Sequence, residues 1–170
     1  MNVIGRNIRQ GVALCVVSAL LLTVGCDRVA TGELQPGQST VADMKQKMGE
    51  PASVFREGDR EVWEYPLGPE GVRTYMMTVN AQGTLERIDQ VLTEANFRRV
   101  QPGMTITEVR RMLGRNSKEQ RYGASPNDLT HKYKFNNGRE DMYFDVTYGA
   151  DGRVKETGYD QYSLQKGGAQ

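Results

Sequence analysis

From residue 33 onward, two kinds of hydrophobic spacing follow one another along the chain, and the pair occurs twice. Val41, Met44 and Met48 recur at i, i+3 and i+7, as do Ile106, Val109 and Leu113, which puts each trio on one face of a helix. Thr40 and Thr105 precede these runs, with Asp43 and Glu108 three positions on. At that spacing a hydroxyl and a carboxylate satisfy free N–H groups of the first turn, and glutamate fits the pattern better than aspartate. Gly49 and Gly114 follow, able to take the left-handed backbone that stops a helix, and Pro51 reinforces the first stop. The period then falls to two. Met142, Phe144, Val146 and Tyr148 alternate with Tyr143, Asp145 and Thr147, and the counterparts in the first copy, at an offset of 69, are Arg73, Tyr75, Met77 and Val79. Turns at Asn80-Ala81-Gln82-Gly83 and Gly149-Ala150-Asp151-Gly152 lead into further strands near Leu85 and Val154. A preceding strand carries Trp63 and Tyr65, matched with Tyr133 and Phe135.

The repetition extends to the turns. Gln35-Pro36-Gly37 returns as Gln101-Pro102-Gly103 at an offset of 66, which becomes 65 from Thr40 and Thr105 onward. The expected fold is therefore α+β: two tandem repeats, each with one or two short helices packed on a three-stranded antiparallel sheet. The first spans residues 33–92, the second 93–163, and 164–170 form a disordered tail. The second repeat has room for an extra helix at Thr93 to Val100, with Phe97 and Val100 on one face, whereas only Ala30 to Leu34 precede Gln35 in the first. Units of about 60 residues are marginal alone, so packing on one another would help both.

The start of the chain reads differently. Arg6 and Arg9 appear without an acid, and Gly11 to Gly25 is an uncharged, mostly apolar run. That run is short for a membrane-spanning helix, which needs about 20 residues. Charged region and apolar run together have the form of an export leader over 1–25. The run ends at Thr23-Val24-Gly25-Cys26, which resembles the lipobox read by the lipoprotein signal peptidase, with Thr23 where leucine is usual. Lipidation of Cys26 is the expectation, an ordinary cleaved leader its rival. Residues 26–32 would then be attachment point and tether. Cys15 would leave with the leader, so the mature chain would hold one thiol and no disulfide. Acyl chains bury methylene groups at about 0.8 kcal/mol each, so two or more anchor firmly.

Charge changes the picture little. With 22 basic and 21 acidic side chains and a net charge of +1, nothing points to nucleic acid. The sole histidine, His131, lacks a neighbouring ligand pattern and is expected to be an ordinary surface or half-buried residue. No Gly-x-Ser-x-Gly, His-Glu-x-x-His or phosphate loop occurs. Glu140, Asp141 and Asp145 read as solvated strand charges. No enzyme, cofactor, metal or small-molecule substrate is expected. Binding has more support: Val72, Thr74, Met76 and Thr78 would form an apolar strip opposite the core face, either a partner-contact or peptidoglycan-facing patch or, equally, the surface on which the other repeat packs. Arg98, Arg99, Arg110 and Arg111 form a basic cluster that reads either as a contact for anionic lipid headgroups or, more simply, as solvated helix faces.

The ordered series Gly37, Thr40, Met44, Met48-Gly49-Glu50-Pro51, Trp63, Tyr65 and Gly83, then Gly103-Met104-Thr105, Val109, Leu113-Gly114, Tyr133 and Gly152, resembles the small outer-membrane lipoproteins of the SmpA/OmlA (BamE) family. The resemblance runs through most of the mature chain, twice. Its doubled form is similar to the arrangement of tandem β-lactamase inhibitor proteins, without their disulfides. Arg115-Asn116 stands where the family pattern has x-Pro after the glycine. The resemblance implies a non-catalytic accessory to outer-membrane protein assembly or envelope integrity, lipid-anchored on the periplasmic face of the outer membrane, with an envelope protein partner such as the barrel-assembly machinery. Asp27 resembles an inner-membrane retention signal and leaves that membrane open. The other functional expectation is a periplasmic inhibitor or binding module for an enzyme.

Overall fold

A computed structural model describes residues 31–123 and 125–161, so the leader, Cys26 and the 164–170 tail lie outside the described residues. Helix α1 (Val41–Met48) leads into strands β1 (Ser53–Glu57), β2 (Arg60–Leu67), β3 (Arg73–Val79) and β4 (Leu85–Gln90), with a 3-10 turn at Pro69–Gly71. The short helix α2 (Glu94–Phe97) and helix α3 (Ile106–Leu113) precede β5 (Lys118–Tyr122), β6 (Ser125–Asn136), β7 (Asp141–Tyr148) and β8 (Val154–Gln161). The class is α+β, with two antiparallel sheets ordered β1-β2-β3-β4 and β5-β6-β7-β8.

Each sheet has four strands, which corrects the expectation of three. The added strands, β1 and β5, are edge strands whose residues are exposed or only part-buried. They bury no regular face, so no alternation of apolar and polar residues marks them in sequence.

The duplication extends to individual hydrogen bonds. Thr40 and Thr105 each accept from the third helical N–H while Asp43 and Glu108 accept from the threonine N–H at 2.8 and 2.7 Å, so both capping boxes are complete. Those bonds hold both carboxyls below their usual range. The Gly37 N–H donates to Leu85 O at 2.7 Å and the Gly103 N–H to Val154 O at 2.8 Å, tying each Pro-Gly turn to the last strand of its own sheet. Register shifts fall between Thr78 and Val79 and between Thr147 and Tyr148, at matching places in the two units. The extra helix is shorter than Thr93 to Val100. Thr93 caps it, and Phe97 and Val100 are both buried as expected.

Helix α1 covers one face of the first sheet, where Met44, Met77 and Leu85 are fully buried with Leu34, Trp63, Tyr65 and Val79. Helices α2 and α3 cover the corresponding face of the second, enclosing Phe97, Val109, Leu113, Tyr133, Phe144, Val146 and Tyr148. Full burial of one such side chain contributes about 1.5–3 kcal/mol. Phe97 stacks on Phe144 with ring centroids 4.4 Å apart and meets Phe135 edge-on at 4.8 Å.

Register also corrects the matching of the two long strands. Tyr65 lies opposite Tyr75, and Tyr133 lies opposite Phe144, the counterpart of Tyr75 in the second unit. Tyr133 therefore stands in the place of Tyr65, and His131, opposite Val146, in the place of Trp63 opposite Met77. The matching expected from sequence is out of step by one turn of the side-chain alternation, because aromatic identity suggests the pairing whereas the ladder fixes it.

Candidate functional site

Where the two units meet, the loop after α3 lies on the outer face of the first sheet. Gly114 (φ 79°, ψ −164°) ends the helix, its N–H donating to Arg110 O at 2.9 Å. The next N–H, of Arg115, donates to Glu64 Oε1 at 2.7 Å. Arg110 reaches the same strand pair, its guanidinium 3.0 Å from Ser53 Oγ and 3.6 Å from Glu64 Oε2. Glu64 is fully buried, so this carboxylate exchanges water for a backbone donor and a cation. Contact is close enough that a Cβ on Gly114 would lie 2.8 Å from Thr74 Cγ2 and 3.1 Å from Glu64 Oε1.

This docking accounts for the apolar strip. Thr74, Met76 and Thr78 are buried, and Thr74 and Met76 are among the atoms nearest Gly114. Val72, at the end of the 3-10 turn, is half-buried. At Thr74 and Met76 the covering is the loop after α3, the second of the two that the sequence left equally open. Arg110 likewise leaves the solvated cluster: its side chain crosses to the first unit because an acid is buried within reach. Arg98 and Arg99 stay exposed, on Glu94 at 3.4 Å and Asn96 at 3.1 Å.

The second sheet carries an ionic network on its outer face. Lys132 occupies the register position corresponding to Glu64 and is likewise fully buried. Its ammonium bonds Asp145 and, at 3.2 Å, Asp160, and lies 5.3 Å from the Tyr143 ring centroid. Burial works against its charge, but the Asp145 and Asp160 carboxylates outweigh it and raise its pKa. Asp145 is therefore an ion-pair partner, not the solvated strand charge that sequence suggested. Beside it, Lys134 lies 3.0 Å from Glu70 and 3.5 Å from Asp141, a second ionic link between the units. Glu70 sits in the left-handed region at φ 58°.

His131 is more enclosed than a surface or half-buried residue. It is 6% exposed, its ring 5.0 Å from that of Tyr148 and its Nε2 3.4 Å from Glu119 Oε1. Burial lowers its pKa, against a smaller opposing pull from Glu119, so the neutral imidazole is favoured. Its neighbours are the Tyr148 ring, the exposed Glu119 and, acting through its charge, Arg110.

Sequence reading missed Glu64, Lys132 and Lys134. Each alternates with buried aromatics, the pattern of a solvent-facing strand residue. A hint existed only in the comparison of units, since Glu64 and Lys132 occupy equivalent positions with opposite charge.

Among the described residues, no group of three or more His, Cys, Asp or Glu is placed to hold a metal ion, and no helix is long and apolar enough to cross a membrane. No family model and no curated protein matches the chain. One solved structure, described as an osmotically inducible lipoprotein, OsmE, is 26% identical over 43% of this chain and 76% of its own, with a TM-score of 0.37. Another, a DUF4309 family protein (YjgB) from Bacillus subtilis subsp. subtilis str. 168, is 16% identical over 80% of this chain and 92% of its own, with a TM-score of 0.28. At those scores neither likeness establishes a shared fold.

Proposed function

We propose that this chain is a non-catalytic lipoprotein, anchored through Cys26 on the periplasmic side of the outer membrane, that works through protein contacts as an accessory to outer-membrane protein assembly or envelope integrity. The observation that carries the reading is the position of Cys26. It closes the uncharged run from Gly11 to Gly25 behind Arg6 and Arg9, and only Asp27 to Glu33 separate it from Leu34, the first core residue of the folded part. A cysteine there is explained by thioether lipidation, and a tether so short keeps the folded part within about 30 Å of the bilayer.

The test is replacement of Cys26 by serine in cells that make the protein. Loss of fatty-acid labelling and of membrane sedimentation is expected; unchanged labelling and sedimentation would overturn the anchor. Affinity purification of the native chain from crosslinked cells tests the role. Recovery of the barrel-assembly machinery supports it, whereas recovery of one stoichiometric periplasmic enzyme would make the chain an inhibitor.

A further inference from the structure

The element that joins the units exists twice and is used once. In the second unit it is Arg110 to Arg115: a cation in the last helical turn, a left-handed glycine stop, and a following N–H aimed at a buried carboxylate. The first unit repeats it as Lys45 to Glu50. Gly49 has φ 79° and ψ −163°, and its N–H donates to Lys45 O at 2.9 Å, as the Gly114 N–H does to Arg110 O. Lys45 thus holds the place of Arg110, and Glu50 that of Arg115.

Around this second copy the surface is bare. A Cβ on Gly49 would meet nothing within 4 Å, whereas one on Gly114 would strike Thr74 and Glu64. Gly49 and Glu50 are exposed, and the Lys45–Glu50 ion pair at 3.0 Å has side chains 45% and 73% exposed. So exposed a pair holds its partners weakly and exchanges them readily. One exposed apolar side chain adjoins it: Val54, 45% exposed, pairs across the ladder with the buried Trp63, whose ring centroid lies 5.7 Å from the Lys45 ammonium.

The geometry points to the end of α1 as a docking site for another protein, one that presents a β-sheet face bearing a carboxylate with a small side chain beside it. That is the chemistry its twin already engages, where Glu64 takes the N–H and the arginine, and Thr74 leaves room for the glycine turn. The partner's carboxylate would accept from the Glu50 N–H and pair with the Lys45 ammonium, a charge-assisted contact. This rests on the proposed role as a contact protein and specifies where contact is made.

A carbodiimide joins an amine to a carboxylate only when the two touch, so it tests the site directly. The full-length chain carrying Glu50→Gln, which removes the internal competitor, is treated in the membranes of cells that make it, and linked peptides are identified by mass spectrometry. An amide between Lys45 and an Asp or Glu on a strand of a different protein is expected. Lys45→Ala should then reduce recovery of that protein after formaldehyde treatment at least tenfold, while Lys47→Ala, which removes a partner of Glu33 on the same helix, should not. Lys45 amides confined to this chain or to a second copy of it, or recovery unchanged by Lys45→Ala, would overturn the site. If other lysines are linked to a partner and Lys45 is not, the site fails while the contact role stands. If no lysine is linked to any other protein, both fail.

Discussion

Glu64 of the first unit accepts the backbone N–H of Arg115 in the second at 2.7 Å, from a position with no solvent exposure. One buried carboxylate thus receives both a main-chain donor and a guanidinium from the far side of the junction. Glu64→Ala removes the acceptor, leaving the Arg115 N–H unpaired and Arg110 without its counter-charge, held by Ser53 Oγ alone. A loss of about 2–4 kcal/mol in unfolding free energy is expected, kept below the full buried-pair figure because Arg110 is part-exposed. Urea denaturation followed by tryptophan fluorescence measures it, and a change under about 0.5 kcal/mol, the lower limit for one ordinary hydrogen bond, would show that the pair does not hold the junction.

The two helix-stop glycines separate backbone strain from contact. Gly49→Ala imposes only the backbone strain of φ 79° and ψ −163°, a region essentially reserved for glycine, at a cost of about 1–3 kcal/mol. Gly114→Ala adds a Cβ 2.8 Å from Thr74 Cγ2 at the same φ, so it should cost at least about 1 kcal/mol more. Equal midpoints in thermal melts would show that the junction is looser than these distances imply.

Lys132 neutralises Asp145 and Asp160, so Lys132→Met should strand carboxylates and cost about 3 kcal/mol at pH 7. Burial already holds the Asp145 carboxyl above its usual range, and with the lysine gone it rises further above its unfolded value. By linkage, its contribution is then favourable at low pH and lost as pH rises through the carboxylate range. The variant should therefore lie closer to wild type at pH 4 than at pH 7, and adding Asp145→Asn should recover part of the loss. Denaturation of the three chains at both pH values decides it.

His131 gives the opposite slope. Its folded pKa is depressed by burial below the 6.5 of the free side chain, so below that value the unfolded state binds more protons. Stability should fall as pH drops from about 6.5 and level off once the folded group also titrates. His131→Phe should remove that component, flattening the difference between chains measured at pH 7.5 and pH 5.5. Parallel profiles for wild type and variant would refute it.

The limits of the two eight-residue helices, their capping boxes and glycine stops, and the alternation of the long central strands were legible because each rests on neighbours close in sequence: a hydroxyl and an acid at one spacing, an alternation of period two. Strands β1 and β5 were not, since Ser53–Glu57 and Lys118–Tyr122 bury no regular face and so carry no period. The strip at Thr74 and Met76 was legible as an apolar face, but its covering depended on where the second unit sits. Nothing local distinguishes a face turned to a partner protein from one turned to the chain's own other half.

By itself, the sequence determined that there are two copies of one helix-and-sheet unit, because hydrogen-bond spacing and side-chain period are properties of the local chain. Only the tertiary structure decided which charges are buried. Glu64 and Lys132 look like solvent-facing residues until the Gly114 loop closes over one and the acids of β7 and β8 surround the other. Burial is set by what arrives from elsewhere in the chain, and a charge tolerates it only where that arrival brings its counter-charge.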